Sequence, residues 1–569
     1  MRCGQSWRLD EERGRRPPAR VTRAASTSCL LAVLALAGCA QERKPPPRGT
    51  LVVSQEQQAS WVRNFNPLAP TGTARWPTQS GIYEPMLIFN TVKGEYVPWL
   101  ATSHEWQGDH RVLRVKTREG VRWSDGTPFG ARDVAFTFQL LRRFPALDGG
   151  GVWTFLRDVR AVDASTVDFE FSRVFVPGLD NLAAVPIVPE HVWSRVADPV
   201  TFANETPVAT GPFTEVRVFK NQVYELGRNP DYWQKGKPAV EALRFPAYPG
   251  NERSNLALVF DEVDWAGSFV PAIDRVFVKR DPENHHYWFP LIGGTIFLYA
   301  NTARAPFGDV RVRKAISMAI DRQLLVDVAL YGYSRPADAT GLSDAHARWR
   351  NPEIAESGNW VRHDVAAASA LLDQAGFPRD ADGIRRWPDG RPWRFEILAV
   401  AGYSDWVRAA QVIARGLKSV GIDASVKTSD FSAWFLRLQE GRFDLSLGWS
   451  VEGPTPYTFY RGLMSSATVK PEGVPSMWNW HRYGSAKADQ LIAAFERESD
   501  PAAQRRLSDE LQRTFVAEAP AIPLYPQPSW GEFNTRRFVG FASAEDPYGA
   551  LSPNKSPEYL LVLTSLKPR

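Results

Sequence analysis

Apolar and polar residues alternate strictly along Val167-Asp168-Phe169-Glu170-Phe171, the period of two that turns one face of a β-strand into a core. Residues 111–116 read as a strand from their β-branched and apolar content, as do the short apolar runs 50–54, 395–400 and 521–525. Helical spacing governs residues 130–141. It returns over 310–329, where Val312, Ile316, Ala319 and Ile320 share one face and predict a single long helix. Residues 365–375 form another helix, ended by Gly376, and 408–420 a further one, after which 421–426 return to strand. Helix, glycine, strand is the rhythm of an α/β body, here in more than one lobe. No repeat of solenoid or propeller period is present.

The N-terminus breaks this pattern. An Arg-bearing stretch ends at Arg23, residues 24–38 are apolar and small, and Cys39 follows, the layout of a secretory signal. Leu36-Ala37-Gly38-Cys39 resembles the lipobox of bacterial lipoproteins, which implies cleavage after residue 38 and lipidation of Cys39. Residues 39–49 are polar and rich in proline, an extended tether between membrane and body. The other two cysteines, Cys3 and Cys29, precede Cys39, so the mature chain has no pair to form a disulfide and no second thiol for catalysis or zinc. Residues 1–38 hold seven Arg against Asp10, Glu11 and Glu12, so four of the five net positive charges lie there. The nearly neutral remainder lacks the basic face a nucleic-acid partner requires. Among 569 residues there are 21 Trp, well beyond what a core needs, and Trp is favoured where a flat apolar partner is gripped.

Catalytic and metal motifs are missing: no P-loop, no dinucleotide fingerprint, no nucleophile elbow and no H-E-x-x-H. His285-His286 would point to opposite faces of a strand and reads as structural. Asp380-Ala381-Asp382-Gly383 opens like a calcium loop, but Arg391 stands where its twelfth-position Glu belongs, so it reads as a turn. Neither a metal nor another cofactor is expected.

A set of motifs spans the body in order. It runs Ile82-Tyr83-Glu84-Pro85-Met86, Pro98-Trp99-Leu100-Ala101, Arg118-Glu119-Gly120-Val121-Arg122-Trp123-Ser124-Asp125-Gly126, Ala131-Arg132-Asp133-Val134, and Gly211-Pro212-Phe213. Arg228-Asn229-Pro230-Asp231-Tyr232-Trp233, the stretch 310–322 and Gly421-Ile422-Asp423 complete it. Together these resemble the solute-binding proteins of ABC importers, family 5, whose members bind peptides or nickel. Residues 62–67, 198–204, 268–271 and 284–290 are most similar to the chitooligosaccharide- and cellobiose-binding branch. The resemblance implies an α/β fold of the two-lobed periplasmic-binding-protein type II kind, with an additional domain inserted in the first lobe (cluster C-like). Lobe I would comprise residues 50–89, 207–297 and 534–569, the inserted domain 90–206 and lobe II 298–533. It further implies a monomeric, non-enzymatic protein outside the cytoplasm. Such a protein takes a small-molecule ligand between its lobes and passes it to a membrane permease and, indirectly, that permease's ATPase.

A sugar ring presents apolar faces and a rim of hydroxyls, so its site wants flat aromatics beside polar side chains. Three clusters offer this: Tyr403, Asp405 and Trp406 after the strand 395–400; Trp449 and Glu452; and Trp478, Asn479 and Arg482. Trp530 resembles a position where the sugar-binding branch places a stacking Trp, and Arg63, Asn64 and Asn66 could reach hydroxyls. Trp406 reads as core, as do Trp99, Trp123, Trp193 and Trp233, which resemble positions shared across the family. The expected ligand is a β-linked cello- or chito-type oligosaccharide. Two departures bear on it: Tyr403 stands where chitin-type members have Trp, and Trp449 where they have Asn. The alternative is a di- or oligopeptide. Peptide-binding members carry an Asp that pairs with the peptide ammonium, and Glu452 stands at that place. A glycoside hydrolase using Asp405 and Glu452 is the third reading.

Overall fold

The computed structural model describes residues 48–55, 57–69, 78 and 80–569. The signal at 1–38, Cys39 and most of the tether at 39–49 lie outside the described residues. The body is mixed α/β and organised around three sheets.

The first sheet has seven strands in the order His285–Tyr287, Glu532–Asn534, Trp265–Ala266, Thr50–Ser54, Ala242–Pro246, Val223–Arg228 and Phe213–Lys220. Thr50–Ser54 is buried along its whole length and runs parallel to both neighbours, which suits its continuous apolar run. The second sheet has five strands, ordered Asp423–Ser429, Arg394–Val400, Leu445–Trp449, Thr295–Ala300 and Ile522–Pro526. Its first three strands are parallel and the last two antiparallel to their neighbours. The third is a four-stranded antiparallel sheet, Ala101–Gln107, Val112–Thr117, Thr166–Phe171 and Leu156–Ala161, backed by the helix Ala131–Arg143.

The chain passes between the first two sheets at residues 288–294 and again at 527–531. The two passages are tied by backbone bonds, Trp288 N–H to Gly531 O at 2.9 Å, Gly293 N–H to Gln527 O at 2.9 Å and Gln527 N–H to Gly294 O at 2.8 Å. Thr295–Ala300 therefore pairs in the second sheet and Glu532–Asn534 in the first, so both crossings fall a few residues before the expected breaks at 297 and 533. The stretch 310–329 is not one helix either. It is Val310–Met318 and Arg322–Leu330, the second capped by Asp321, whose carboxylate accepts from Leu324 N–H at 2.9 Å.

The motifs shared along the chain converge on one buried carboxylate. Glu84 accepts from Trp99 Nε1–H and Tyr232 O–H, each at 2.7 Å, and from Trp233 Nε1–H at 3.2 Å. Trp99 and Trp233 meet edge-to-face, and the Arg118 guanidinium lies over Trp233 at 4.4 Å. Burial pushes the Glu84 carboxyl up to about 7, against the donors that favour its charged form. His285 and His286 do face opposite ways: His285 is buried, stacked on Phe277 and bonded to Asp261, while His286 packs on Phe533. Asp380 and Asp382 both hold Arg386 in a tight turn.

Candidate functional site

A cavity of about 270 Å³ lies between the first two sheets, beside the paired crossings. Its floor on the second-sheet side is aromatic. Trp449 ends the strand Leu445–Trp449, and its ring is parallel to Phe431 within 6°, centroids 6.3 Å apart. Tyr403 stands at the N-terminus of the helix Ser404–Ser419 and meets Trp406 edge-on at 5.4 Å. Trp406 is packed into the core, as expected, yet also touches the cavity. The crossing contributes Trp530, which is 8% exposed and held edge-on by Phe289 at 4.8 Å, Phe269 at 5.6 Å and Tyr333 at 6.3 Å.

Polar groups are set among these rings. Asp405 sits in the first turn of its helix and accepts from Asn251 Nδ2–H at 3.3 Å. Burial raises its carboxyl to about 6, opposed by its own N–H, that of Trp406 and the Asn251 amide. Glu452 forms an ion pair with Lys555, which also donates to Ile292 O at 3.2 Å. Gly294 makes room for that carboxylate: its φ is +90°, and a Cβ there would lie 2.6 Å from Glu452 Oε1. Across the cavity, Gln57 Nε2 and Asn554 Oδ1 are buried without a hydrogen-bond partner. Those two atoms are a donor and an acceptor, the pair of functions a hydroxyl combines.

The structure thus brings together Tyr403, Asp405, Trp449, Glu452 and Trp530 from the sequence reading, and leaves the others elsewhere. Trp478 does not line this cavity; it lines two smaller ones, one of them shared with Trp449. Asn479 and Arg482 are buried with positive φ, and their side chains serve backbone carbonyls: Asn479 Nδ2–H to Ser465 O at 3.2 Å, Arg482 Nη2–H to Gln439 O at 2.6 Å. They hold a turn together and have no reach into the cavity. Arg63 is exposed and donates to Glu205 O at 3.2 Å. Asn64 accepts from Asn66 N–H at 3.0 Å, a local turn. Asn66 is fully buried and ties its loop to Pro199 O and Phe202 O, both at 2.9 Å. Sequence reasoning missed Gln57, Asn251, Phe431, Asn554 and Lys555. Gln57, Asn251, Asn554 and Lys555 lie in loops or at a helix start with no local aromatic-plus-polar cluster, and only the chain's return brings them to the site, whereas Phe431 stands in one, Asp430-Phe431-Ser432-Ala433-Trp434.

Among the described residues, no group of three or more His, Cys, Asp or Glu is placed to hold a metal ion, and no helix is long and apolar enough to cross a membrane.

Residues 95–471 match the bacterial extracellular solute-binding proteins, family 5 Middle. The nickel-binding periplasmic protein of Escherichia coli K12 is 27% identical over 409 residues, covering 68% of this chain and 74% of that protein. The periplasmic oligopeptide-binding protein OppA of Salmonella typhimurium is 23% identical over 504 residues, 82% of this chain and 85% of its own. A mannohexaose-bound periplasmic oligopeptide-binding protein of an oligopeptide ABC transporter from Thermotoga maritima superposes with TM-score 0.82 at 24% identity, over 92% of this chain and 99% of that one. The oligopeptide-binding protein AppA of Bacillus subtilis, in complex with a nonapeptide, gives 0.76 at 20% identity over 92% and 100%.

Proposed function

The chain belongs to the bacterial extracellular solute-binding proteins of family 5, the solute-capturing components of ABC importers, and from that we propose that its ligand is an oligosaccharide held in the cavity between the two sheets. The observation that carries this reading is the Glu452–Lys555 ion pair. The carboxylate that would meet a peptide ammonium already has a cation, so an incoming amine would only trade one ammonium for another and gain no new ion pair. The rest of the lining suits a neutral, hydroxyl-rimmed ring: Trp530, Trp449, Phe431 and Tyr403 cover faces, while Asp405, Gln57 and Asn554 address hydroxyls. The Thermotoga protein, in its mannohexaose complex, supports a sugar in such a cleft. The peptide reading is favoured by the nonapeptide complex of AppA and by the OppA likeness.

Titration of Trp fluorescence with cello- and chito-oligosaccharides, and separately with a mixture of short peptides, decides between them. Saturable quenching by sugars alone is expected; saturation by peptides alone overturns the sugar reading. Ligand recovered from the complex after hours is expected at its original length. Shortened sugar, lost on Asp405→Asn, would establish a hydrolase instead. The same proposal includes lobes I and II closing on the ligand, a monomeric body, and release at the membrane with residues 1–38 removed and Cys39 lipidated. Mass spectrometry of membrane-extracted protein tests the last point, and an unmodified Cys39 would contradict it.

A further inference from the structure

A second cavity, of about 250 Å³, lies on the far side of the Glu452–Lys555 pair, and those two side chains line both cavities. Ala345 and residues 452–454 line it, along with three further parts of the chain. The hairpin of Leu87–Asn90 and Glu95–Pro98 supplies Phe89 and Tyr96, whose rings pack at 5.3 Å and 63°. The short helix Gly178–Ala183 supplies Asp180 from its first turn, which accepts from Tyr96 O–H, and Ala184 follows at the helix's end. The segment after Lys555 supplies Glu558. That residue is 2% exposed, and its Oε1 accepts from Ala550 N–H at 2.9 Å and Thr91 N–H at 3.1 Å. Its Oε2 is buried with no hydrogen-bond partner.

A buried carboxylate oxygen without a donor is costly unless something supplies one. The chamber around it is mostly apolar, with aromatic rings on one wall. Of the lining carboxylates, Asp180 is held by Tyr96 and Glu452 by Lys555, and the apolar faces beside the unpartnered Glu558 Oε2 suit a pyranose ring. The side chains that the two cavities share, Glu452 and Lys555, are each about one-fifth exposed, and either can exchange its partner for hydroxyls.

We propose that this chamber is a distal subsite for a further ring of the oligosaccharide anchored at Trp530, that Glu558 Oε2 accepts from that ring's hydroxyl, and that the Glu452–Lys555 pair is the gate the chain parts to reach it. This rests on the oligosaccharide reading and extends it to ligand length. A short ligand fills the first cavity with the gate shut; a longer one opens the gate and fills both.

The test is a calorimetric titration of the full chain with cello- and chito-oligosaccharides from the disaccharide to the hexasaccharide. The wild type is compared with Ala184→Trp, which fills the chamber from an exposed position, and with Glu558→Gln. In the wild type, affinity should rise by about tenfold or more between the shortest and longest ligand. Ala184→Trp should bring that ratio close to one, and Glu558→Gln should lower it by several-fold. A wild-type ratio of one, or a ratio unchanged in a folded Ala184→Trp protein, overturns the subsite while the oligosaccharide reading stands. Binding of peptides but of no sugar at any length overturns both. Because the wild-type series alone can refute the proposal, it does not depend on the buried Glu558 variant folding.

Discussion

Trp530 was expected to be a stacking platform, and its surroundings give it a second duty. Three aromatic edges fix its ring at the crossing between sheets, so Trp530→Ala should lose both the platform and the packing. A central anchor is worth about 2–4 kcal/mol of binding, roughly thirty- to a thousandfold in affinity. The lost edge contacts and the void should lower ligand-free stability by about 1–3 kcal/mol. Trp530→Phe, which keeps a ring, should recover most of the stability and only part of the affinity. Melting temperature and titration separate the two effects, and unchanged affinity in a destabilised Trp530→Ala would remove this residue from the site. Glu84 makes a different residue-scale case. Its folded carboxyl stands at about 7 against an ordinary 4.5, so the folded state holds its proton more tightly than the unfolded chain does. Its contribution is therefore fully present below pH 4.5 and is lost as pH rises through 7. The shift corresponds to at most about 3 kcal/mol. Asp405, raised to about 6, acts with the same sign. Glu84→Gln should flatten the fall in stability between pH 5 and 7, and parallel pH profiles for variant and wild type would contradict this.

At the scale of elements, the break between Val310–Met318 and Arg322–Leu330 shows why periodicity alone misread this stretch. The apolar face runs on across Ala319 and Ile320, but Asp321 caps a new helix and Arg322 turns inward. Its guanidinium donates to Pro523 O at 2.7 Å, Val361 O at 2.8 Å, Ser317 O at 3.0 Å and Ser317 Oγ at 2.7 Å. One planar group thus ties two helices and a turn to the strand Ile522–Pro526, whose end leads into the crossing. Arg322→Met fills similar space but leaves buried carbonyls unpaired. It should cost about 3–5 kcal/mol, read as a clear drop in the denaturation midpoint. Arg322→Lys should recover little, because a compact ammonium cannot span acceptors spread around a planar guanidinium. A stability loss below 1 kcal/mol for Arg322→Met, on the order of a surface change, would refute this account.

For the molecule as a whole, the two halves touch at Gly402 and Gly250 as well as at Glu452 and Lys555. Asn251 N–H donates to Gly402 O at 2.9 Å, and a Cβ at Gly402 would sit 2.6 Å from Pro249 O. Gly402→Val should wedge the halves apart at the cavity rim. Because this contact joins surfaces and not a core, ligand-free stability should change little, while affinity falls by about tenfold as the closed form becomes scarcer. Small-angle scattering should show a larger ligand-bound radius than in the wild type. Wild-type affinity in Gly402→Val would mean that closure does not involve this contact.

The sequence alone determined the family, the α/β character, several of the strands and helices, and three of the rings that line the cavity, Tyr403, Trp449 and Trp530. These depend on local period, composition and ordered motifs, and a residue such as Trp449 at a strand end carries its position with it. Only the tertiary structure decided that Asn66, Asn479 and Arg482 serve backbone carbonyls of their own loops, since a polar side chain reads the same in sequence whether it faces a ligand or a turn. Only it brought Lys555, 103 positions along the chain, against Glu452, and gathered Trp99, Tyr232 and Trp233 onto Glu84. Such pairings are set by how the sheets stack and where the chain returns, and no local spacing encodes them.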